Sequence, residues 1–336
     1  MTARRRSGPR RRRGLPLAVA IAAAIAGCGG GDDAARATAT ATATATAGAS
    51  ATPTTSPPEG QVPDTPVPDG GGPATGLRRD RFDSGRAWQE LTRQVGLGPR
   101  PAGSATLRAL AVRLRDALPR GAFEKVPGHP GLRNVVGRIP GRAPAIAVAA
   151  HYDTKDLPGF VGANDGAAGT AVVMELARAL RRADRPEGAR EVRFLLFDGE
   201  EATDDSRPFA ATGLRGSKAY ADRHRGELAA LILLDFVGTK DLRIYREALS
   251  DAALWDRLRA AAGRVGAQDA FPRGIRQGIE DDHVPFRARG VPAIDLIQWP
   301  YACWHLACDD LSAVEERSLD LTGETVFELV RTLRRT

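Results

Sequence analysis

The chain of 336 residues carries 48 Lys+Arg against 41 Asp+Glu, a net of +7, and 42% of it is hydrophobic. A sequence pI of about 9.8 would suit nucleic acid, whose binders need a basic footprint to displace counterions. Seven of the arginines sit at positions 4–6 and 10–13, in a segment that reads as removable. Without them the count is 48 − 7 = 41 basic against 41 acidic, and the nucleic-acid footprint is gone.

That segment is a leader. Met1 to Gly14 is basic, Leu15 to Ile25 is apolar, and Ala26-Gly27-Cys28 supplies small residues at a cut site, the anatomy of a secretory signal over 1–27. Its apolar core is too short for a bilayer, which takes roughly 20 residues. Ile25-Ala26-Gly27-Cys28 resembles the bacterial lipobox, which implies lipidation of Cys28 and a membrane contact through that anchor only. The alternative is an ordinary secretory signal with a chance cysteine. Residues 28–78 alternate Ala and Thr and then run in Ser, Pro and Gly. Such composition buries too little apolar surface to offset chain entropy and predicts a disordered tether. Residues 79–336 then form one catalytic domain, outside the cytoplasm, with no internal repeat and no oligomeric state legible.

Within that domain Ser84–Val95 and Ala105–Leu118 have helical periodicity. Four apolar runs read as strands: Ala145–Ala150, Val192–Phe197, Leu231–Leu234 and Ala293–Ile297. Helical patterns fall between and after them, at Thr170–Arg182, Leu214–Arg225, Asp251–Arg264 and Leu319–Leu333. Alternating strand and helix predict an α/β three-layer sandwich, a mostly parallel central sheet with helices on both faces. Two of the strands are almost continuously apolar, as burial on both faces requires. Ligands of such sheets bind outside the carboxyl ends of the strands.

Acids and histidines gather at those ends. The first strand runs into His151-Tyr152-Asp153, the second into Asp198-Gly199-Glu200-Glu201, the third ends at Asp235, and Trp304-His305 follows the fourth. Asp165 lies in a glycine-rich loop that opens a helix. Singly, Asp165 reads as a helix cap, Glu200-Glu201 as a solvated loop and His305 as a core histidine. Together they are carboxylates converging on one edge, whose charge needs a cation to balance it. A set of Asp, Glu and His without thiolate suits catalytic zinc. Of the adjacent glutamates, one binds and its neighbour handles protons.

The segments His151-Tyr152-Asp153-Thr154-Lys155, Phe160-Val161-Gly162-Ala163-Asn164-Asp165, Phe197-Asp198-Gly199-Glu200-Glu201-Ala202, Leu233-Leu234-Asp235, Glu280 to Phe286 and Trp304-His305 occur in order over roughly 90–330. In that order they resemble the zinc aminopeptidase and glutaminyl cyclase superfamily. The resemblance implies the phosphorylase/hydrolase-like zinc exopeptidase fold and a peptide or protein N-terminus as substrate. It implies Asp165, Glu201 and His305 as core zinc ligands and Glu200 as general acid/base. His151 and Asp235 match the further ligands of two-zinc members, in which Asp165 bridges, so one or two zinc ions are expected.

The Asp281-Asp282-His283 run and Trp304 look more like the glutaminyl-peptide cyclotransferase branch, which turns N-terminal glutamine into pyroglutamate with release of ammonia. There Asp282 would hydrogen-bond near the general base, Trp304 would wall a small pocket, and His283 would orient rather than ligate. The alternatives are a zinc aminopeptidase hydrolysing N-terminal residues, and an inactive binding lipoprotein, against which the complete set of Glu200, Glu201, Asp165 and His305 argues. One departure stands out: animal cyclases carry a second tryptophan soon after the paired glutamates, whereas Thr203 to Pro208 here holds no aromatic. Cys303 and Cys308 flank Trp304-His305, and export favours a disulfide over a free pair or thiolates on a second metal. Its closure adds about 2 kcal/mol in the chain-entropy model, so its value lies in fixing the loop that presents His305. His129 and His224 receive no role.

Overall fold

The computed structural model describes Leu77 and residues 80–336, all of which belong to one unit spanning residues 67–336. The leader 1–27, Cys28 and the tether 28–78 apart from Leu77 lie outside the described residues. Helix α1 (Ser84–Val95) begins at Asp83, whose side chain accepts from the Arg86 amide, and α2 (Ala105–Ala117) at Ser104, which accepts from the Leu107 amide. Both caps satisfy amides that the first turn leaves without partners. Strands β1 (Ala122–Lys125), β2 (Arg133–Ile139) and β3 (Arg142–His151) follow, then α3 (Gly169–Arg182) and β4 (Arg190–Phe197). Next come α4 (Phe209–Thr212), α5 (Arg215–Arg223), β5 (Leu228–Leu234) and β6 (Arg246–Glu247). Helix α6 (Ala252–Val265), capped by Asp251, precedes β7 (Ile275–Arg276), α7 (Val284–Arg287), β8 (Ala293–Leu296) and the closing α8 (Glu316–Leu333).

The main sheet has the order β1-β2-β4-β3-β5-β8, and β6 pairs with β7 separately. The pairs β3·β4, β3·β5 and β5·β8 are parallel, as the four apolar runs predict, while β1·β2 and β2·β4 are antiparallel. The antiparallel edge is not legible in the sequence. β1 is four residues long and only partly buried, and β2 carries Gly137 in its interior. That glycine is required by packing, because a Cβ there would lie 2.9 Å from the Leu118 Cβ.

Side chains two apart share a face of the sheet, and β3 shows both faces filled. Ile146, Val148 and Ala150 pack into the larger core with α1, α2, α3, α6 and α8. Ala145, Ala147 and Ala149 point to the other side, into a smaller core with Tyr220 and Ala221 of α5 and Phe286 of α7. The three layers therefore form as alternation predicts. Alanine dominates β3 because it is sandwiched at the centre, where small side chains let helices approach. Among the described residues no helix is long and apolar enough to cross a membrane.

Candidate metal centre and cavity

Strands β3, β4, β5 and β8 run parallel, so their carboxyl ends open on one edge of the sheet. His151 is the last residue of β3, which has β4 on one side and β5 on the other, the point where the strand order reverses. Such reversals leave a crevice between diverging loops. Asp235 follows β5 directly, Glu200 and Glu201 lie in the turn after β4, and His305 sits in the loop after β8. Asp165 is in an irregular turn, Ala163–Ala168, where it leaves helical geometry at φ −82, ψ 92 and Gly166 takes φ 91. Gly166 is obligatory there: a Cβ would lie 2.8 Å from the Asp153 carbonyl oxygen and 3.0 Å from the His151 ring.

Two triads of donor atoms result. His151, Asp165 and Asp235 form one, and Asp165, Glu201 and His305 form the other, each within 4.8 Å of one another. Asp165 belongs to both. His151 Nε2 lies 3.3 Å from Asp165 Oδ1 and 3.3 Å from Asp235 Oδ1, and His305 Nε2 lies 3.6 Å from Asp165 Oδ2 and 3.3 Å from Glu201 Oε2. Ligands at about 2.0–2.1 Å from a tetrahedral ion stand roughly 3.4 Å apart, so the spacing fits a metal in each triad.

The electrostatics fit as well. Burial pushes the Glu201 carboxyl up to about 7, with Asp165 adding and His305 opposing. Burial also raises Asp235 and Glu200 well above the carboxylate range, although His151 opposes it in both. Burial alone would lower His151, yet Asp153, Asp165 and Asp235 hold it well above its ordinary value. Glu201 Oε1 and His151 Nδ1 are buried without hydrogen-bond partners. Burial that drives these acids toward protonation, beside ligand atoms without partners, marks negative charge that a cation would balance.

Surrounding groups hold these donor side chains in place. Asp153, fully buried, accepts from the Glu200 and Glu201 amides at 3.2 and 3.4 Å and lies 3.8 Å from His151 Nδ1. Asp309 accepts from the Asn164 and Asp165 amides at 2.8 and 3.1 Å and from the Tyr301 hydroxyl at 2.7 Å. Arg100, also fully buried, donates to the Val161 and Gly162 carbonyls at 2.6 and 3.1 Å. Burial lowers its guanidinium to about 10 although Asp165, Asp309 and Asp153 pull the other way. Lys155 donates to the Ala202 carbonyl at 2.9 Å, bracing the turn after the paired glutamates. None of these four was given a role from the sequence: Asp153 and Lys155 stand inside a quoted motif, Asp309 directly follows Cys308, and Arg100 lies far from any.

A cavity of about 280 Å³ opens onto the centre. Asp165, Glu200, Glu201, Asp235 and His305 form its polar floor, and Phe209, Phe236, Trp299 and Trp304 supply aromatic walls. Trp304 stacks on His305 at 4.4 Å and meets Trp299 edge-on at 5.0 Å. The stretch 203–208 does lack an aromatic, but Phe209 immediately after it reaches the cavity. A signal for Phe209 existed one residue beyond the segment read; Phe236 and Trp299 resemble ordinary core aromatics in the sequence.

Of the two adjacent aspartates, Asp282 was expected beside the general base, and it is Asp281 that reaches the cavity. Asp281 lines the cavity, whereas Asp282 is fully buried outside the lining, its carboxylate oxygens without partners. Burial, then Asp281, raises Asp282 well above the carboxylate range. Within the tight turn, where the Val284 amide donates to the Asp281 carbonyl, adjacent side chains diverge, and spacing cannot choose between them. His283 stands 3.3 Å from Glu247, which also accepts from the Leu249 and Ile279 amides at 2.7 and 3.2 Å, so it braces the cavity-lining segment from behind. His224 joins β1 to α5 through Glu124 at 2.9 Å, and His129 lies near Arg215 and Lys218, away from the centre. Cys303 and Cys308 are joined in a disulfide.

An α/β sheet whose strand ends converge on paired His and carboxylate triads defines a metallo-exopeptidase class of protein. The chain belongs to peptidase family M28, whose profile matches residues 134–330. It is 27% identical over 225 residues to a glutaminyl-peptide cyclotransferase of Drosophila melanogaster, covering 58% of this chain and 63% of that protein. It is 30% identical over 205 residues to aminopeptidase YwaD of Bacillus subtilis, covering 55% and 40%. The chain thus spans less than two thirds of the length of either curated relative. The solved Porphyromonas gingivalis glutaminyl cyclase superposes with a TM-score of 0.67 at 27% identity, covering 76% of this chain and 99% of that one. These relatives support an enzyme of glutaminyl cyclase or peptidase type, and the similarity favours the cyclase branch.

Proposed function

We propose that the chain is a zinc-dependent glutaminyl-peptide cyclase that converts the N-terminal glutamine of peptides or proteins to pyroglutamate and releases ammonia. One observation carries this reading: a cavity of about 280 Å³ whose aromatic walls, Phe209, Phe236, Trp299 and Trp304, share its lining with the donor triads and Glu200. That volume suits one side chain, at the lower end of ligand cavities. Bound at Asp165, Glu201 and His305, with His151 and Asp235 available for a second ion, zinc would polarise the γ-carboxamide as a Lewis acid.

The chain's own residues do the rest. The aromatic walls hold the glutamine side chain folded back on its amine, so that the α-nitrogen approaches Cδ as a near-attack conformer. They also keep bulk water out, and water is the competing nucleophile. Glu200, buried and raised well above the carboxylate range, takes the proton from the attacking amine and returns it to the departing amide nitrogen. The new N–Cδ bond closes the ring, the old C–N bond breaks, and ammonia leaves. Asp281, on the same lining, accepts a hydrogen bond from the amine end.

The second reading is a zinc aminopeptidase, favoured by the two complete triads sharing Asp165. Trp304→Ala tests the pocket on which the first reading rests. Trp304 is 46% exposed, so the fold should tolerate its loss. We expect KM for a glutamine-starting peptide to rise about tenfold, the scale of one lost aromatic contact. An unchanged KM, measured by ammonia release, removes the pocket argument.

The proposal places the domain outside the cytoplasm on a lipid anchor at Cys28 with the tether as spacer, supported by the leader anatomy. Cys28→Ser is expected to move the protein from the detergent phase to the aqueous phase, or to leave it unprocessed. Identical detergent partitioning of variant and parent contradicts the anchor.

A further inference from the structure

We propose that the Cys303–Cys308 disulfide is a reducible latch on the metal centre, which holds His305 in its ligating backbone conformation and whose cleavage by a dithiol weakens metal binding. The inference rests on the reading of His305 as a zinc ligand. The bond closes a ring around Trp304-His305, with Cα atoms 5.4 Å apart. The base of the ring is fixed, because Tyr301 and Asp309 are buried and the Tyr301 hydroxyl donates to Asp309 Oδ1 at 2.7 Å. Above that base the support is thin. The backbone bonds Trp304 N to Tyr301 O, Leu306 N to Cys303 O and Asp309 N to Leu306 O all stay inside residues 301–309.

His305 itself has φ +54, in the left-handed region that non-glycine residues rarely adopt,. Such a conformation persists only where the surroundings enforce it. The imidazole's neighbours, Glu201, Asp165, Phe160 and Trp304, act on the ring and not on the backbone. The ring closure is what constrains the backbone. Opening it lets His305 relax toward negative φ, which turns its ring away from Glu201 and Asp165, and carries the stacked Trp304 with it.

The bond is also reachable, since Cys308 is exposed and Cys303 half-buried, and exposed disulfides are the labile ones. A thiolate of the dithiol attacks one sulfur, and the second thiol displaces the mixed disulfide. Two electrons and two protons pass to Cys303 and Cys308, and the reductant leaves as its own disulfide. One reduction thus loosens a metal ligand and a cavity wall together.

The test compares zinc affinity, by chelator competition, between the oxidised full chain and the C303S/C308S double variant. A second arm uses the full chain reduced by a phosphine, which becomes its oxide, and then alkylated; a dithiol would itself chelate zinc. We expect zinc weakened by up to roughly thirtyfold in both arms, the fold-change equivalent to the closure entropy of so small a ring. Reoxidation before alkylation should restore the affinity, and loss of the bond should lower the melting temperature of the zinc-loaded protein by more than that of the metal-free protein. Wild-type zinc affinity in either arm overturns the latch. An equal loss of stability with and without zinc also overturns it, since the bond would then be merely structural. A parent chain that binds no zinc at all would instead refute the ligand reading beneath it.

Discussion

Glu200→Gln is expected to lower turnover by about a hundredfold or more with zinc content unchanged. A positioned acid/base contributes about 10²–10⁴-fold, and a hundredfold corresponds to about 2.7 kcal/mol of barrier. Glu200 belongs to neither donor triad, whereas Glu201, its neighbour, belongs to one. The division follows from Asp153, which accepts both glutamate amides and so fixes the turn that sends the two side chains in different directions. Glutamine keeps the shape and the burial while removing the proton-carrying oxygen. It also relieves the repulsion from Glu201, Asp281 and Asp282, so the variant should be no less stable than the parent. Stopped assays give turnover, and elemental analysis gives metal. Near-normal turnover with intact metal would place the proton work elsewhere, with Asp281 the next group on the lining.

His305→Ala is expected to abolish activity by releasing the metal, with the domain still folded. His305 is the one imidazole in the triad with Asp165 and Glu201. Its loss leaves two carboxylates facing each other, and burial already pushes Glu201 up to about 7. Proton and metal then compete for the same oxygens, and the proton gains. The fold is expected to survive because His305 lies in a loop after β8 and belongs to none of the hydrophobic core clusters. A variant that keeps all its metal contradicts the ligand assignment. One that loses metal and unfolds shows instead that the loop is structural.

Strand placement was legible because a buried parallel strand is an uninterrupted apolar run, and four such runs led to residues of the right chemistry. The donor set followed from topology: parallel strands share one open edge, so His151, Glu201 and Asp235 had to converge. The edge strands β1 and β2 were not legible, since short half-polar strands have no distinctive period. That Asp281 and not Asp282 lines the cavity was not legible, because a turn, unlike a strand, gives neighbouring side chains no fixed alternation. Arg100, Asp309 and Trp299 act across distances of sixty residues or more, or from within a core, and nothing local marks a residue whose partner lies that far along the chain.

The most direct measurement is the product formed when the zinc-loaded protein meets two short peptides, one beginning with glutamine and one with leucine. Mass spectrometry distinguishes loss of ammonia from loss of a residue. The account predicts that the glutamine peptide loses ammonia and keeps its length, and that the leucine peptide is untouched even with zinc in excess. Steady release of free leucine, with the glutamine peptide trimmed instead of cyclised, would contradict it and assign the centre to peptide hydrolysis.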